Sequence, residues 1–380
     1  MPDPFLYERV YDHVLQEIRN ENLKPGERVP SEKELAELFG VSRITSKRAL
    51  RMLAEAGVVH RRRGMGSFVT DDAQRIDTVR PTTSRRREPS PSSGCLALVL
   101  PDASEAYGLG LLCAIEERSA ELGYHLVVRR TRDSQQVEEQ AIESLTGGAG
   151  GAGGPVVDGL IVFPVHGEFY NASLVRLVLD RSPLVLVDRQ LRGIPACAVS
   201  TDNAAAAHAL TAAVLDQGHD RVAFLSPPVE NTSSIEERMQ GYRDALRERG
   251  YRGEAERCFT EFHSTLPNVR SDDDAQADRA ALRAFLERDP GITGFVACEY
   301  NIAVLLRQVL DDMGVWRPDR QLIGCFDSPE TPSDAGRFVY VKQDQREMGR
   351  RAVDLLVAQL AGEEVPLKSV VPFSLVVPTY

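Results

Sequence analysis

Apolar side chains recur with two different periods along this chain, and the change of period divides it. Leu6, Val10, Val14 and Ile18 stand at i, i+4 spacing, which predicts an amphipathic helix over residues 4–22. Leu35, Ala36 and Leu38 give a short second helix an apolar face, and Ala49, Leu50, Leu53 and Ala56 do the same for a third. Two short strands, 58–61 and 67–69, follow. From Cys95 onward short apolar runs alternate with helical stretches: strands at 95–100, 126–128, 159–163 and 184–187, with helices near 107–122, 134–145 and 171–181. A second series has strands at 222–226, 258–262, 294–297 and 322–326 and helices near 234–249, 275–288 and 300–313. Such alternation predicts parallel sheets covered on both faces, and two series in succession predict two doubly wound α/β lobes.

Between the two patterns, residues 71–93 hold Pro81, Pro89, Pro91, several Ser and Thr, the run Arg85-Arg86-Arg87 and hardly an apolar side chain. This composition reads as an extended or disordered linker. The chain is thus expected to comprise a head at 1–70, a linker at 71–93 and a body at 94–380. The arginine run is either solvated or adds phosphate contacts. Gly147 to Gly154 contains G-x-G spacings but follows a helix and precedes a strand, the reverse of a phosphate cradle, so it reads as a surface loop.

Charge sharpens the division. The net charge is −11, yet residues 1–70 carry +2 while 94–380 carry −14. An acidic body under a mildly basic head suits a protein that touches nucleic acid through a limited surface. The six cysteines, at 95, 113, 197, 258, 298 and 325, form no C-x-x-C pair and have no His at zinc-ligand spacing, so they are expected to be buried thiols with no metal role. Neither a signal peptide nor a bilayer-length apolar run is apparent, and a cytoplasmic location with no membrane partner is expected.

The head's motifs are chemical as well as periodic. Ser31 and Glu34 have the S-x-x-E spacing of a capping box, Gly40 stops the short helix and Ser42 can cap the next, which begins Arg43-Ile44-Thr45-Ser46-Lys47-Arg48. An exposed helix start rich in Ser, Thr and Arg suits a recognition helix in a major groove. The tip Arg62-Arg63-Gly64-Met65-Gly66 between the two strands can approach a phosphate backbone closely. Residues 5–70 resemble the GntR family of winged-helix regulators, most specifically in Leu23 to Ala36, Val41 to Leu50 and Gly64 to Val69. The resemblance implies contacts to double-stranded operator DNA from Lys33, Ser42, Arg43, Thr45, Lys47, Arg63, Gly64 and Gly66.

Residues 94–380 resemble the LacI family and the periplasmic sugar-binding proteins. The match runs in order through Pro183 to Arg189, Val199 to Asn203, Gly218 to Leu225, Arg238 to Tyr242, Gly324 to Asp327 and Val341 to Asp344. A GntR head on such a body is the arrangement of the arabinose-repressor type of regulator. Doubly wound lobes bind ligands beyond the carboxyl ends of their strands. That places Glu105, Tyr107, His166, Asp188 and Arg189 from the first lobe beside Asn231, Arg238, Glu299, Tyr300 and Asp327 from the second. Carboxylates, a guanidinium and an aromatic plane suit a polyhydroxylated ligand, whose hydroxyls both donate and accept. Asp188 and Asp327 can equally be helix caps or salt-bridge partners. No G-x-S-x-G, H-E-x-x-H or Walker-type stretch marks an enzyme, and no cofactor is implied. The expected function is a sugar-responsive, homodimeric transcription regulator acting as a repressor; a cytosolic sugar-binding or sugar-modifying protein without a transcriptional role is the competing reading.

Overall fold

The computed structural model describes residues 6–20, 22–41, 43–55, 57–62, 66–70, 94–147, 157–165, 170–230, 232–251, 257–263, 272–330 and 338–377. The chain divides into two compact units, Met1–Ser92 and Ser93–Tyr380. The first holds α1 (Leu6–Arg19), α2 (Glu32–Phe39), α3 (Arg43–Glu55) and an antiparallel pair, β1 (Val59–Arg62) and β2 (Gly66–Val69). Ser31 caps α2 with the full reciprocal capping box, and Gly40 closes it in the left-handed region. Val10, Val14, Leu15, Leu35, Ala49, Leu50, Leu53, Val58 and Val69 form one buried core. Leu38 is a correction to the expected apolar face: it is 65% exposed, and Phe39 packs on that core in its place. The segment 26–29 runs along β2, with Val29 N–H donating to Ser67 O at 2.9 Å and Val69 N–H to Glu27 O at 2.9 Å.

The second unit contains two six-stranded sheets. The first has the order β13-β7-β6-β5-β3-β4 and is parallel throughout; the second has the order β14-β12-β11-β10-β8-β9 and is parallel except for β14. Lobe 1 is built from β3 (Cys95–Leu100), α4 (Leu109–Glu121), β4 (His125–Arg130), α5 (Gln135–Thr146), β5 (Gly159–Val162), α6 (Ala172–Leu179), β6 (Leu184–Val187) and β7 (Cys197–Thr201). Lobe 2 takes α7 (Asn203–Asp216), β8 (Val222–Leu225), α8 (Ser233–Glu248), β9 (Cys258–Phe259), α9 (Asp272–Arg288), β10 (Gly294–Ala297), α10 (Tyr300–Asp312), β11 (Leu322–Phe326) and β12 (Val339–Gln343). Central strands are buried on both faces, which is why they read as unbroken apolar runs rather than as alternation.

The lobes are not two successive series, contrary to the expectation from sequence. After β12 the chain returns to lobe 1 as α11 (Gln345–Ala361) and β13 (Lys368–Val371), then crosses back as β14 (Phe373–Val376). Packing supplies the reason. Met348, Ala352, Val353 and Leu356 of α11 complete the core under Leu96, Leu98, Ile161 and Val185 of lobe 1. Gly349 permits the approach to α4: a Cβ there would lie 2.9 Å from Leu111 O. The corresponding contact in lobe 2 is Gly241 of α8, where a Cβ would lie 2.1 Å from Ala204 O of α7. Three connections therefore join the lobes, at 201–203, 343–345 and 371–373.

All six cysteines are free. Cys197, Cys298 and Cys325 are buried and Cys95 and Cys258 partly so, but Cys113 is exposed on α4, which corrects the expectation of uniform burial. Among the described residues no helix is long and apolar enough to cross a membrane.

Candidate functional site

The two lobes end their fourth strands in the same way. Asp188 follows β6 with φ 67° and Asp327 follows β11 with φ 60°, both in the left-handed region that a side chain other than Gly, Asn or Asp seldom enters. Asp188 N–H donates to Val199 O at 2.9 Å and Asp327 N–H to Val341 O at 2.8 Å, so each turn is pinned to the neighbouring strand. Both side chains are 5% exposed. The repeat continues into the connections, where Asp202 caps α7 by accepting from Ala205 N–H and Asp344 caps α11 by accepting from Glu347 N–H. These connections carry the related pieces Val199-Ser200-Thr201-Asp202-Asn203 and Val341-Lys342-Gln343-Asp344-Gln345.

Around these two carboxylates a charged set assembles from both lobes. Tyr107 donates its hydroxyl to Asp188 Oδ1 at 2.5 Å. Burial, and then the Asp188 and Asp327 carboxylates, push its phenol well above the usual range, so it stays a donor. Arg189 lies 5.1 Å from the Phe163 ring centroid, donates Nη1–H to Pro164 O at 3.0 Å and stands with Nε 3.6 Å from Asp188 Oδ2. Arg238 stacks on Phe326 at 3.8 Å, donating Nε–H to Asn203 Oδ1 at 2.8 Å and Nη1–H to Cys298 O at 2.7 Å. Asp327 accepts from Gln343 N–H at 3.1 Å and Gln343 Nε2–H at 2.6 Å.

Burial dominates the titration of this set. Asp327 is pushed up to about 7 because desolvation outweighs the Gln343 donors and the Arg238 charge, with Asp188 of lobe 1 adding to the rise. Glu299 is also raised by burial, against the pull of Arg189 and Arg238. Asp133, with φ 58°, is pushed up to about 6 by burial, with Arg189 opposing. Glu138 rises to about 7 through burial although it accepts from Val165 N–H at 2.8 Å and Asn171 Nδ2–H at 3.0 Å.

The sequence-based selection is therefore partly brought together. Tyr107, Asp188, Arg189, Arg238, Glu299 and Asp327 form one interacting set. Glu105 is exposed. Tyr300 packs its ring 5.9 Å from Phe338 against the apolar core of lobe 2, because its place in the first turn of α10 faces that core. His166 and Asn231 lie outside the described residues. Asp133, Glu138, Asn203 and Gln343 were missed. Asn203 ends the first of the two quoted V-x-x-D-[NQ] pieces and Gln343 stands third in the second, so reading those pieces as an internal repeat would have marked the connections that carry them; Asp133 and Glu138 carry no comparable signal.

The edges of the lobes are also linked. Gln190, in the loop after β6, donates its N–H to Ser233 Oγ at 2.9 Å and Nε2–H to Glu237 Oε1 at 3.0 Å. Arg192 Nε lies 2.9 Å from Glu236 Oε2, and Lys368 Nζ 3.4 Å from Glu237 Oε1. Among the described residues no group of His, Cys, Asp and Glu could hold a metal ion.

In the first unit, α3 presents Lys47 to solvent, and Lys33 on α2 is exposed beside Glu37 at 3.8 Å. Ser46 is fully buried and donates its hydroxyl to Glu32 O at 2.6 Å, tying α3 to the start of α2. Arg43 and Thr45 lie in the first turn of α3 and Gly66 opens β2. Ser42, Arg63 and Gly64, and the side chains of Arg43 and Thr45, lie outside what the structure describes.

Comparison with known proteins agrees with this fold. Residues 6–69 match the bacterial regulatory proteins of the gntR family, and residues 211–378 match the periplasmic binding protein-like domain. The arabinose metabolism transcriptional repressor of Halalkalibacterium halodurans is 24% identical over 364 residues, covering 94% of this chain and 90% of the relative. The HTH-type transcriptional regulator GalR of Escherichia coli is 24% identical over 336 residues, covering 88% and 90%. Among solved structures, the transcription regulator CcpA of Lactococcus lactis superposes with a TM-score of 0.63 at 22% identity, over 75% of this chain and 98% of that one. A complex of the transcriptional regulator CelR with cellobiose gives a TM-score of 0.63 at 22% identity, over 92% and 99%.

Proposed function

This chain carries a gntR-type helix-turn-helix head and a periplasmic-binding-protein-like, LacI-type body, and from that premise we propose a cytoplasmic, homodimeric transcription repressor whose hold on operator DNA is governed by a sugar or sugar derivative received between the lobes. The meeting of Tyr107, Asp188 and Arg189 from lobe 1 with Arg238, Glu299 and Asp327 from lobe 2 carries the ligand half of this reading. Acceptors, donors and aromatic faces on opposite walls suit a ligand that bonds to both walls at once. Relatives named for arabinose and a neighbour holding cellobiose support a carbohydrate.

In this proposal Lys33, Ser42, Arg43, Thr45, Lys47, Arg63, Gly64 and Gly66 touch the duplex, with α3 in the major groove and the β1–β2 tip on the adjacent backbone. Ligand stabilises the closed arrangement of the lobes through its differential affinity for it, and closure changes the spacing of paired heads that must match two half-sites. A tenfold to hundredfold difference in affinity, roughly 1–3 kcal/mol, gives a usable response.

A gel-shift titration tests both halves. Operator binding is expected to weaken steeply with salt and to be released by the effector, while Arg189→Ala leaves DNA binding intact and blunts the release. An operator complex that the effector tightens would reverse the sign of control; duplex binding insensitive to salt would remove the DNA reading.

A further inference from the structure

The interlobe cleft has a sign, which bears on the class of ligand it takes. Asp188, Asp327, Glu299 and Asp133 interact there with two guanidinium groups, Arg189 and Arg238, so carboxylates outnumber cations. Both arginines are anchored within their own lobes. Arg238 gives Nε–H and Nη1–H to Asn203 and Cys298, and Arg189 gives Nη1–H to Pro164 O while its Nε faces Asp188. A phosphate or carboxylate entering this cleft meets two guanidinium groups ringed by twice as many acidic side chains.

The unmet hydrogen-bonding atoms point the same way. Gln343, only 3% exposed, donates its amide to Asp327 and leaves Oε1 buried with no partner. Asp133 Oδ2 is likewise buried without a donor, while Arg189 Nε, 3.6 Å from Asp188 Oδ2, makes no hydrogen bond. Buried acceptors without donors carry a desolvation penalty that a ligand can relieve only by donating. Hydroxyl and ammonium groups donate; ionised phosphate and carboxylate only accept.

Building on the sugar-cleft reading above, we propose that the effector is a neutral or amine-bearing polyol, and that phosphorylated and carboxylated sugars are excluded. Its donors bridge Asp188 on one wall to Asp327 and Gln343 on the other, relieving the like-charge opposition between the two carboxylates when the lobes close.

Calorimetric titration of the full chain with matched sugars tests this: arabinose, ribose, galactose, cellobiose and galactosamine against ribose 5-phosphate, galactose 6-phosphate and galacturonate. A neutral or amino sugar is expected to bind about 100-fold more tightly than its anionic counterpart. An anionic sugar that binds as tightly as its neutral counterpart overturns the charge assignment while leaving the sugar cleft standing. Binding by none of the eight would instead remove the sugar-cleft reading, and this inference with it. Asp188→Asn and Asp133→Asn supply a second readout, since Asn tolerates the left-handed backbone at both positions. Each is expected to narrow the gap between neutral and anionic sugars about tenfold; a gap unchanged in both variants overturns the inference.

Discussion

Aspartates at positive φ close the fourth strand of each lobe, and the burial of one of them, Asp327, together with Glu138 and Asp133, gives the body a pH signature. Asp327 and Glu138 are pushed up to about 7 and Asp133 to about 6, in each case because desolvation exceeds what nearby donors and guanidinium groups return. An acid whose folded pKa exceeds its unfolded value binds its proton more tightly in the native state. The stability it lends is complete below the ordinary carboxylate range and is lost as pH rises through the folded value. The melting temperature of the unliganded protein is therefore expected to fall between about pH 5 and pH 8, and scanning calorimetry should find a flatter profile in Asp327→Asn. An equally steep profile in the variant would place the titration elsewhere. Arg238 shows the complementary case: Arg238→Met leaves Asn203 Oδ1 and Cys298 O without their donors and the buried acids without a counter-charge. Urea denaturation is expected to register a loss of about 3 kcal/mol.

At the scale of elements, two helix pairs depend on glycine for close approach. A methyl at Gly241 would stand 2.1 Å from Ala204 O, a backbone atom held inside α7, so neither partner can yield by rotating a side chain. Gly241→Ala is expected to destabilise the body by more than about 2 kcal/mol, seen as a lowered denaturation midpoint with an unchanged m-value. The link between the 188–192 loop and the start of α8 is a different kind of element contact, made at the rim by Gln190, Arg192, Lys368, Ser233, Glu236 and Glu237. Glu237 meets two partners there, so Glu237→Ala is expected to weaken ligand affinity by several-fold through the closed arrangement while changing global stability by less than about 1 kcal/mol. Titration calorimetry beside thermal melting separates the two effects. In the head, Ser46 fixes α3 on α2 through Glu32 O, a contact that its place in a cationic helix start did not announce.

For the whole molecule, the salt dependence of operator binding measures how much of the affinity is phosphate contact. Lys33→Ala and Lys47→Ala are each expected to reduce the slope of log affinity against log salt by about 1, without changing which sequence is preferred. Fluorescence anisotropy at several salt concentrations reads both quantities, and a slope equal to that of the parent would take these side chains off the duplex. The apolar periods, the S-x-x-E cap, the turn glycines and the strand-ending Asp188 and Asp327 were legible in the sequence, because each is a local rule whose partners lie within a few residues. Fold class, the separate head and six members of the cleft set followed from them. The return of α11 to lobe 1, the burial of Ser46, the outward Leu38 and Cys113, and the recruitment of Asp133, Glu138, Asn203 and Gln343 did not. Those depend on which distant surface fills which space and which charge lies opposite which. One sequence determines local geometry through its own backbone and side chains; only packing in three dimensions brings residues far apart in the chain into a common field and decides their protonation.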